Sequence, residues 1–520
     1  MPFLAQGKIN RKFLLIVFIF AIIVGGGVLA YQYWWLPQEK VEIEGELFLP
    51  KYNILIIVSD ALRVDALSCY GGEANTQNIC GLAKQGVLFE NAYSNSSWTL
   101  PSSLSIFTGN YSSVYADPGA ALDFLKTIKT KTEAIDEVHQ FTNLSRLFRK
   151  VNDKELLLAE ALGKNGYDAR YKIEPFTNLI DSPSFVNCCN QLQGFEELKE
   201  YKDLTEKEIN FIEDNTNIKN LGLGYEKIYS TLDYLLNIKE KRFFTLMWVG
   251  DPHEPYSPPE KFKKNINVEF SKLSKNPEFY NSFLSQIEQD LPNPTDYDTY
   301  YLKQLYLKEV ESVDERVGYI LRALEHNGSK DNTFIVFTSD HGEGFGEHSR
   351  FSHGTTVYNE MIHVPLIIAG PNIIKGGRVK DNVSHVDLMP TLKDLMGVDC
   401  LYNSQGKSYK SLLIGEKDSA KQRVQYVEGY QRALIENNYK LIITHENTSE
   451  LYNLFEDLGE LNNISKENQA TVDNMKKKMS QLRKEALIKI IKDLPGIQNK
   501  GRIISGLLRW IIEYRTLFGD

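Results

Sequence analysis

Two short β-branched runs in this chain each end in a carboxylate. Asn53 to Val58 (N-I-L-I-I-V) leads into Asp60, within S-D-A-L-R-V-D. Phe334-Ile335-Val336-Phe337 leads into Asp340-His341, within T-S-D-H-G-E-G-F-G-E-H. Continuous apolar runs of this length suit strands covered on both faces. Similar runs at Phe243 to Val249 and Val364 to Ala369, with helical stretches between them, constrain the chain to an α/β domain with a largely parallel core. Ligands in such sheets gather at the carboxyl ends of the strands, so Asp60, Asp340 and His341 are expected on one edge. Two carboxylates and an imidazole brought together there make a divalent-metal site, and the glycines after His341 let the backbone bend close to it.

Helical spacing and a glycine stop mark Glu155 to Asn165, ending in Gly166, and Tyr301 to His326, closely followed by Gly328. Lys199 to Thr231 is polar and reads as an insertion. The prolines around Pro258-Pro259 and at Pro292 and Pro294 read as the rim of a cleft. After Leu401 the pattern shortens to alternating segments at Val424 to Tyr430, Arg432 to Ile435 and Lys440 to Thr444, which predict a small antiparallel sheet. Lys476 to Arg515 reads as a basic helix, either lying on an anionic membrane surface or packing one face on its own domain.

With 520 residues the chain exceeds one ordinary core. The organisation read from it is a basic tail at 1–12, an anchor at 13–36, a linker at 37–50, a catalytic domain at 51–400, a small-sheet subdomain at 401–465 and a basic helical tail at 466–520. The anchor rests on the uncharged stretch from Phe13 to Leu36, preceded by Lys8, Arg11 and Lys12 and closed by Tyr31, Tyr33, Trp34 and Trp35. It predicts a single-pass membrane protein with its catalytic domain outside the cytoplasm. A leader cleaved near Val28-Leu29-Ala30 is the competing reading. The net charge of −9 excludes a general nucleic-acid binder. Cys69 and Cys80 either pair outside the cell or stay unpaired; Cys188-Cys189 is awkward for a mutual bond.

Ser96 to Gly109 reads S-S-W-T-L-P-S-S-L-S-I-F-T-G, which places Thr99 at the mouth of a helix, where negative charge is favoured. The segment resembles the C/S-x-P-S-R nucleophile motif of the sulfatase family, in the alkaline phosphatase superfamily, with Thr99 at the nucleophile position and Thr108-Gly109 downstream. Further ordered matches are Asp60 to Asp65, Cys69-Tyr70-Gly71, Gly86 to Tyr93, Asp251 to Tyr256 (D-P-H-E-P-Y), Glu309-Val310 with Val313-Asp314, Ser339 to Glu343, His363 to Leu366 and Glu450 to Leu454. The resemblance runs from Tyr52 to Ile464. It implies an α/β sandwich with a mostly parallel central sheet and a small carboxyl-terminal antiparallel sheet.

By that resemblance Asp60, Thr99, Asp340 and His341 hold one divalent ion, calcium, manganese or zinc. Thr99 is then the nucleophile, and His253 and His353 face the cleft as substrate ligands or as the acid for the leaving oxygen. His348 and His363 are further histidines of the same motifs. The departures matter as much. Threonine cannot yield the formylglycine that most sulfatases make from Cys or Ser, Ser103 stands where the motif has Arg, and Ala61 replaces a frequent second acid. An unmodified threonine forms a covalent ester, as in the threonine-dependent branch that includes phosphoethanolamine transferases and lipoteichoic acid synthases. The expected activity is hydrolysis of phosphate or sulfate esters. The alternatives are transfer of a phosphoryl group to a lipid or glycan, and a degenerate binding protein.

Overall fold

A computed structural model describes residues 52–115, 150–151, 157–173, 192–218, 227–238, 241–263, 266, 296–398, 404–416, 423–444 and 446–493. The expected anchor at 13–36 lies outside them. So do all of 117–149 and most of 261–300. Among the described residues, no helix is long and apolar enough to cross a membrane.

The main sheet has eight strands: β1 (Asn53–Ser59), β2 (Gly86–Phe89), β3 (Asp168–Ile173), β4 (Glu196–Glu197), β5 (Phe243–Val249), β6 (Thr333–Ser339), β7 (Leu366–Ala369) and β8 (Gly377–Val379). They lie in the order β8-β2-β7-β6-β1-β5-β3-β4. Every neighbouring pair is parallel except those made by β7, which runs against both β6 and β2. A run covered on both faces has the same composition whichever way it points, so sequence alone did not set β7 apart.

Alternation along β1 explains why its sequence is apolar throughout. Ile54, Ile56 and Val58 enter the core on one face of the sheet, and Leu55 and Ile57 enter the core on the other. Each is fully buried, worth roughly 1.5–3 kcal/mol per side chain. The first face is covered by α2 (Thr99–Thr108), α3 (Leu158–Lys164) and α7 (Leu388–Met396), through Leu100, Leu104, Leu162 and Leu392. The second is covered by α1 (Gln77–Gln85), α4 (Glu206–Thr216), α5 (Lys227–Asn237) and α6 (Asp296–Asn327), through Leu82, Ile212, Leu232 and Val317. The described part of Lys199 to Thr231, polar as its sequence is, packs on this face through Ile212, Ile218 and Ile228.

The small sheet is an antiparallel meander of β9 (Val424–Val427), β10 (Arg432–Glu436), β11 (Tyr439–Ile443) and β12 (Ser449–Asn453). Leu434, Leu441 and Leu451 pack with Val472, Met475 and Met479 of α8 (Gln469–Asp493). The described part of the basic helix thus buries one face on its own domain. The opposite face of the small sheet, through Val427, Ala433 and Ile442, packs on Tyr93, Met361 and Ile362 of the catalytic domain. Cys69 and Cys80 form a disulfide.

Candidate active site

Strands β1 and β6 lie side by side with Ser59 opposite Ser339, so the residues that follow them, Asp60 and Asp340, emerge together at one edge of the sheet. Asp60 is held by its own N–H, which donates to Val249 O at 2.9 Å, and by Trp248 Nε1, which donates to its Oδ2 at 2.9 Å. Ala61 takes a left-handed conformation, φ 56°, strained for a residue with a β-carbon. That turn aims its N–H at Asp340 Oδ1, 3.2 Å away, and the His341 N–H donates to the same oxygen at 2.9 Å.

One oxygen of each carboxylate is left over. Asp60 Oδ1 and Asp340 Oδ2 are buried and have no hydrogen-bond partner among the described residues. Both face His341 Nε2, at 3.6 and 3.3 Å. The other ring nitrogen, Nδ1, lies 2.8 Å from the Gly342 carbonyl, which places the proton there and the lone pair on Nε2. Burial, then the neighbouring Asp340, pushes the Asp60 carboxyl well up; burial pushes Asp340 to about 7 and the His341 imidazole well down. Two orphaned buried carboxylate oxygens and a lone pair aimed at one point are costly without a cation. With a cation they form a ligand set. The residues present fit a divalent ion of the manganese or zinc type, and the carboxylates also suit calcium.

Thr99 completes the group. It is the first residue of α2, 4% exposed, and its Oγ1 lies 3.2 Å from His341 Nε2. Pro101 sits in the first turn of the helix, where a missing N–H removes no internal bond. Ser102 ties the helix to the edge of the sheet: its Oγ donates to the Asp340 carbonyl at 2.5 Å and lies 3.3 Å from Nδ1 of the buried His385. His385 in turn reaches Thr338 through Nε2 at 3.3 Å, and burial pushes its pKa down to about 3, so it serves as a neutral brace. Ser103, where the family motif has Arg, turns back into the helix and donates to Leu100 O at 2.8 Å.

His253 and His353 are brought to the same place. Their rings are 4.7 Å apart, and the His353 ring is 4.3 Å from that of His341. Burial drives the His253 imidazole down to about 4. Two acids stand with them. Glu254 accepts from Ser352 Oγ at 2.7 Å; burial opposes its charge, but His353 and His253 outweigh this and hold it low. Glu343 is fully buried, and burial followed by Glu254 pushes it well up.

His348 and His363 lie elsewhere. His363 Nε2 donates to Glu90 O at 2.8 Å and its ring stacks on Tyr93. His348 lies on Tyr358, with ring centroids 3.6 Å apart, and bridges Glu360 Oε1 at 2.8 Å and Glu460 O at 3.2 Å. Both ring nitrogens meet acceptors. Burial lowers its pKa, but the Glu360 hydrogen bond outweighs that and leaves it raised. A folded-state pKa above the unfolded value of about 6.5 gives stability that is full below that value and is lost as pH rises through the folded one. Urea unfolding should therefore show wild type losing more stability than His348→Gln between mildly acidic and mildly alkaline pH; equal losses would remove His348 as the cause.

Asp60, Thr99, Asp340, His341, His253 and His353 were singled out from sequence, and all six meet. Trp248, Ser102, Glu254 and Glu343 were not singled out. The last two sit inside quoted motifs, D-P-H-E-P and D-H-G-E-G, where an acid beside a histidine was the available signal.

The sulfatase family model matches residues 52–398, and a model for the N-sulphoglucosamine sulphohydrolase carboxyl-terminal region matches residues 346–485. The chain is 24% identical to an uncharacterised sulfatase of Escherichia coli (strain K12), over 79% of this chain and 82% of that protein. It is 25% identical to an N-acetylglucosamine-6-O-sulfatase of Bacteroides thetaiotaomicron, over 70% of this chain and 71% of that one. Among solved structures, a phosphonate monoester hydrolase of Agrobacterium radiobacter superposes with a TM-score of 0.61 at 19% identity, covering 84% of this chain and 96% of that one.

Proposed function

The chain belongs to the sulfatase family, and on that premise we propose that it hydrolyses a sulfate- or phosphate-type ester with unmodified Thr99 as the nucleophile. The observation that carries this reading is the convergence of Thr99 Oγ1, His341 Nε2, Asp60 Oδ1 and Asp340 Oδ2. Asp60, Asp340, His341 and Thr99 would hold one divalent cation, and that cation, when bound, favours the Thr99 alkoxide and neutralises ester oxygens.

Thr99 Oγ1 forms a bond to sulfur or phosphorus as the bond to the leaving alcohol breaks, and the leaving oxygen takes up a proton. Water then attacks the sulfur or phosphorus of the threonine ester, and Thr99 Oγ1 leaves and recovers its proton. The positive end of α2 faces the charge that develops. Ser102 and Trp248 keep Thr99, Asp340 and Asp60 in register. His253 and His353 serve the leaving-group side of the cleft.

Names among the relatives support both ester classes: an N-acetylglucosamine-6-O-sulfatase by sequence and a phosphonate monoester hydrolase by fold. Placement outside the cytoplasm behind an anchor at 13–36 belongs to the same proposal. Its support is the flank of Lys8, Arg11 and Lys12 and the Cys69–Cys80 disulfide, which persists in oxidising compartments. The test is turnover of aryl sulfate, aryl phosphate and aryl phosphonate monoesters by protein reloaded with manganese, zinc or calcium. Release of the aryl alcohol from at least one is expected. Release that occurs only when a lipid or glycan alcohol is added would replace hydrolysis by transfer, and no release under either condition would overturn the reading.

A further inference from the structure

The hairpin that carries His353 into the cleft is fastened at its far end by His348. Gly344-Phe345 pairs antiparallel with Phe351-Ser352, and residues 346–350 form the tip. At the root, the Gly342 N–H donates to Met361 O at 2.7 Å and the Glu343 N–H to Glu360 O at 2.9 Å, both in the short helix Asn359–Ile362. At the tip, Arg63 pairs with Glu347 at 2.8 Å, and His348 spans Glu360 of that same helix and the Glu460 carbonyl of the carboxyl-terminal subdomain. The returning strand then brings Ser352 to Glu254 and His353 to His341. We propose that His348 is a positioning residue: its protonated ring latches the hairpin tip to the carboxyl-terminal subdomain and so holds His353 in the cleft, and loss of the proton loosens the hairpin and slows turnover. The proposal rests on the reading of the Thr99 cleft as an esterase site.

Three observations carry it. First, Nδ1 of His348 meets a carboxylate oxygen at 2.8 Å and Nε2 meets a carbonyl oxygen at 3.2 Å. Only the imidazolium donates to both; a neutral ring turns a lone pair toward one of the two oxygens. Second, the acceptor on the subdomain side is fixed. The Glu460 carboxylate pairs with Lys440 Nζ at 2.7 Å, both side chains fully buried, and accepts from the Asn359 N–H at 2.6 Å. Asn359 Nδ2 donates in turn to Leu458 O at 2.9 Å. Third, the hairpin needs outside support. His348, Ser349 and Ser352 take left-handed conformations, φ 50°, 58° and 58°, between Gly346 and Gly354, and a residue with a β-carbon stays there only while its surroundings hold it. Two residues per strand are too few to hold a ribbon alone.

The groups that face the His348 ring are Glu360 from the short helix, Glu460 from the loop after β12 and the stacked ring of Tyr358. Lys440 is engaged with Glu460, and on the hairpin itself Glu347 is engaged with Arg63. Burial works against the imidazolium, but Glu360 outweighs it and leaves the His348 pKa raised. The latch is therefore closed below the ordinary histidine value of about 6.5 and opens as pH rises through the higher folded value.

Two readouts on the full chain test this from mildly acidic to mildly alkaline pH: hydrogen exchange of the peptide spanning 344–353, and kcat. Wild type is set beside His348→Gln at each pH, which cancels the intrinsic pH dependence of exchange and of the other catalytic groups. At acidic pH the wild-type hairpin should exchange more slowly and kcat should be higher, by up to about 100-fold for a displaced catalytic group. Both differences should shrink as pH rises. Glu360→Gln keeps a carbonyl acceptor and removes the charge, so its losses of protection and of kcat should come at lower pH than in wild type; this variant decides the matter by itself where His348→Gln does not fold. A kcat ratio that stays flat across the range, a Glu360→Gln profile that matches wild type, or equal exchange in wild type and His348→Gln at acidic pH would each overturn the latch while the Thr99 site stands. An exchange difference of the expected sign in a chain that turns over no ester would overturn the Thr99 reading instead.

Discussion

Thr99→Ala is expected to abolish turnover, lowering kcat by about 10⁴-fold or more, the scale seen when a covalent nucleophile is removed. The geometry makes this substitution clean. Thr99 is a buried first-turn residue whose Oγ1 has its contact at His341 Nε2, so alanine removes the reacting oxygen and one ligand while the helix stays anchored through Ser102. Thr99→Ser should retain substantial activity, because it keeps an alcohol at the same place. Acid-quenched wild type should carry an added phosphoryl or sulfuryl mass on the peptide containing Thr99. Turnover by Thr99→Ala near the wild-type rate would sink the threonine-nucleophile reading, whatever the ester.

The second large effect is expected from removal of the cation. Chelation should silence the enzyme and lower its thermal midpoint, and readdition of one of manganese, zinc or calcium should restore both. An ion at a thousand times its Kd stabilises the folded state by about 4 kcal/mol. The ligand oxygens Asp60 Oδ1 and Asp340 Oδ2 are otherwise buried without donors among the described residues, so loss of the ion should be felt in stability as well as in rate. Asp340→Asn removes one buried charge and should reproduce the silent state while blocking rescue. Because ligand carboxylates bind only when deprotonated, cation affinity should weaken as pH falls. A chelated enzyme that keeps its activity and its midpoint would exclude the cation.

What could be read beforehand followed local rules. A strand covered on both faces announces itself as an apolar run, and the residue after it falls at the sheet edge; Asp60, Asp340 and His341 were legible for that reason. The place of Thr99 at the mouth of a helix was legible through Pro101 and the hydroxyl-rich turn, and its selection as nucleophile came only through the resemblance to the sulfatase motif. Other features depended on tertiary contacts that no local pattern carries. His348, His353 and His363 occur within one short stretch, yet only His353 turns into the cleft, while His348 joins Glu360 to the loop at Glu460. Glu343 looks like any loop acid until Glu254 arrives from another strand's end. The direction of β7 and the buried face of α4 were hidden in the same way.

The pairing of Ser59 with Ser339 links the cation ligands to the order in which the chain can fold. Asp60 and Asp340 are 280 positions apart, the separation that also divides the hydrogen-bonded pair Asn53 and Thr333, and parallel strands so distant close late and slowly. The ligand set therefore does not exist in a fragment that lacks either Asp60 or Asp340, or in an early collapsed state. The ion should leave the initial rate of refolding unchanged and act chiefly by slowing escape from the native state. A nick in a surface loop between the two halves would be tolerated while the sheet holds, but separated halves should bind no ion until they reassociate.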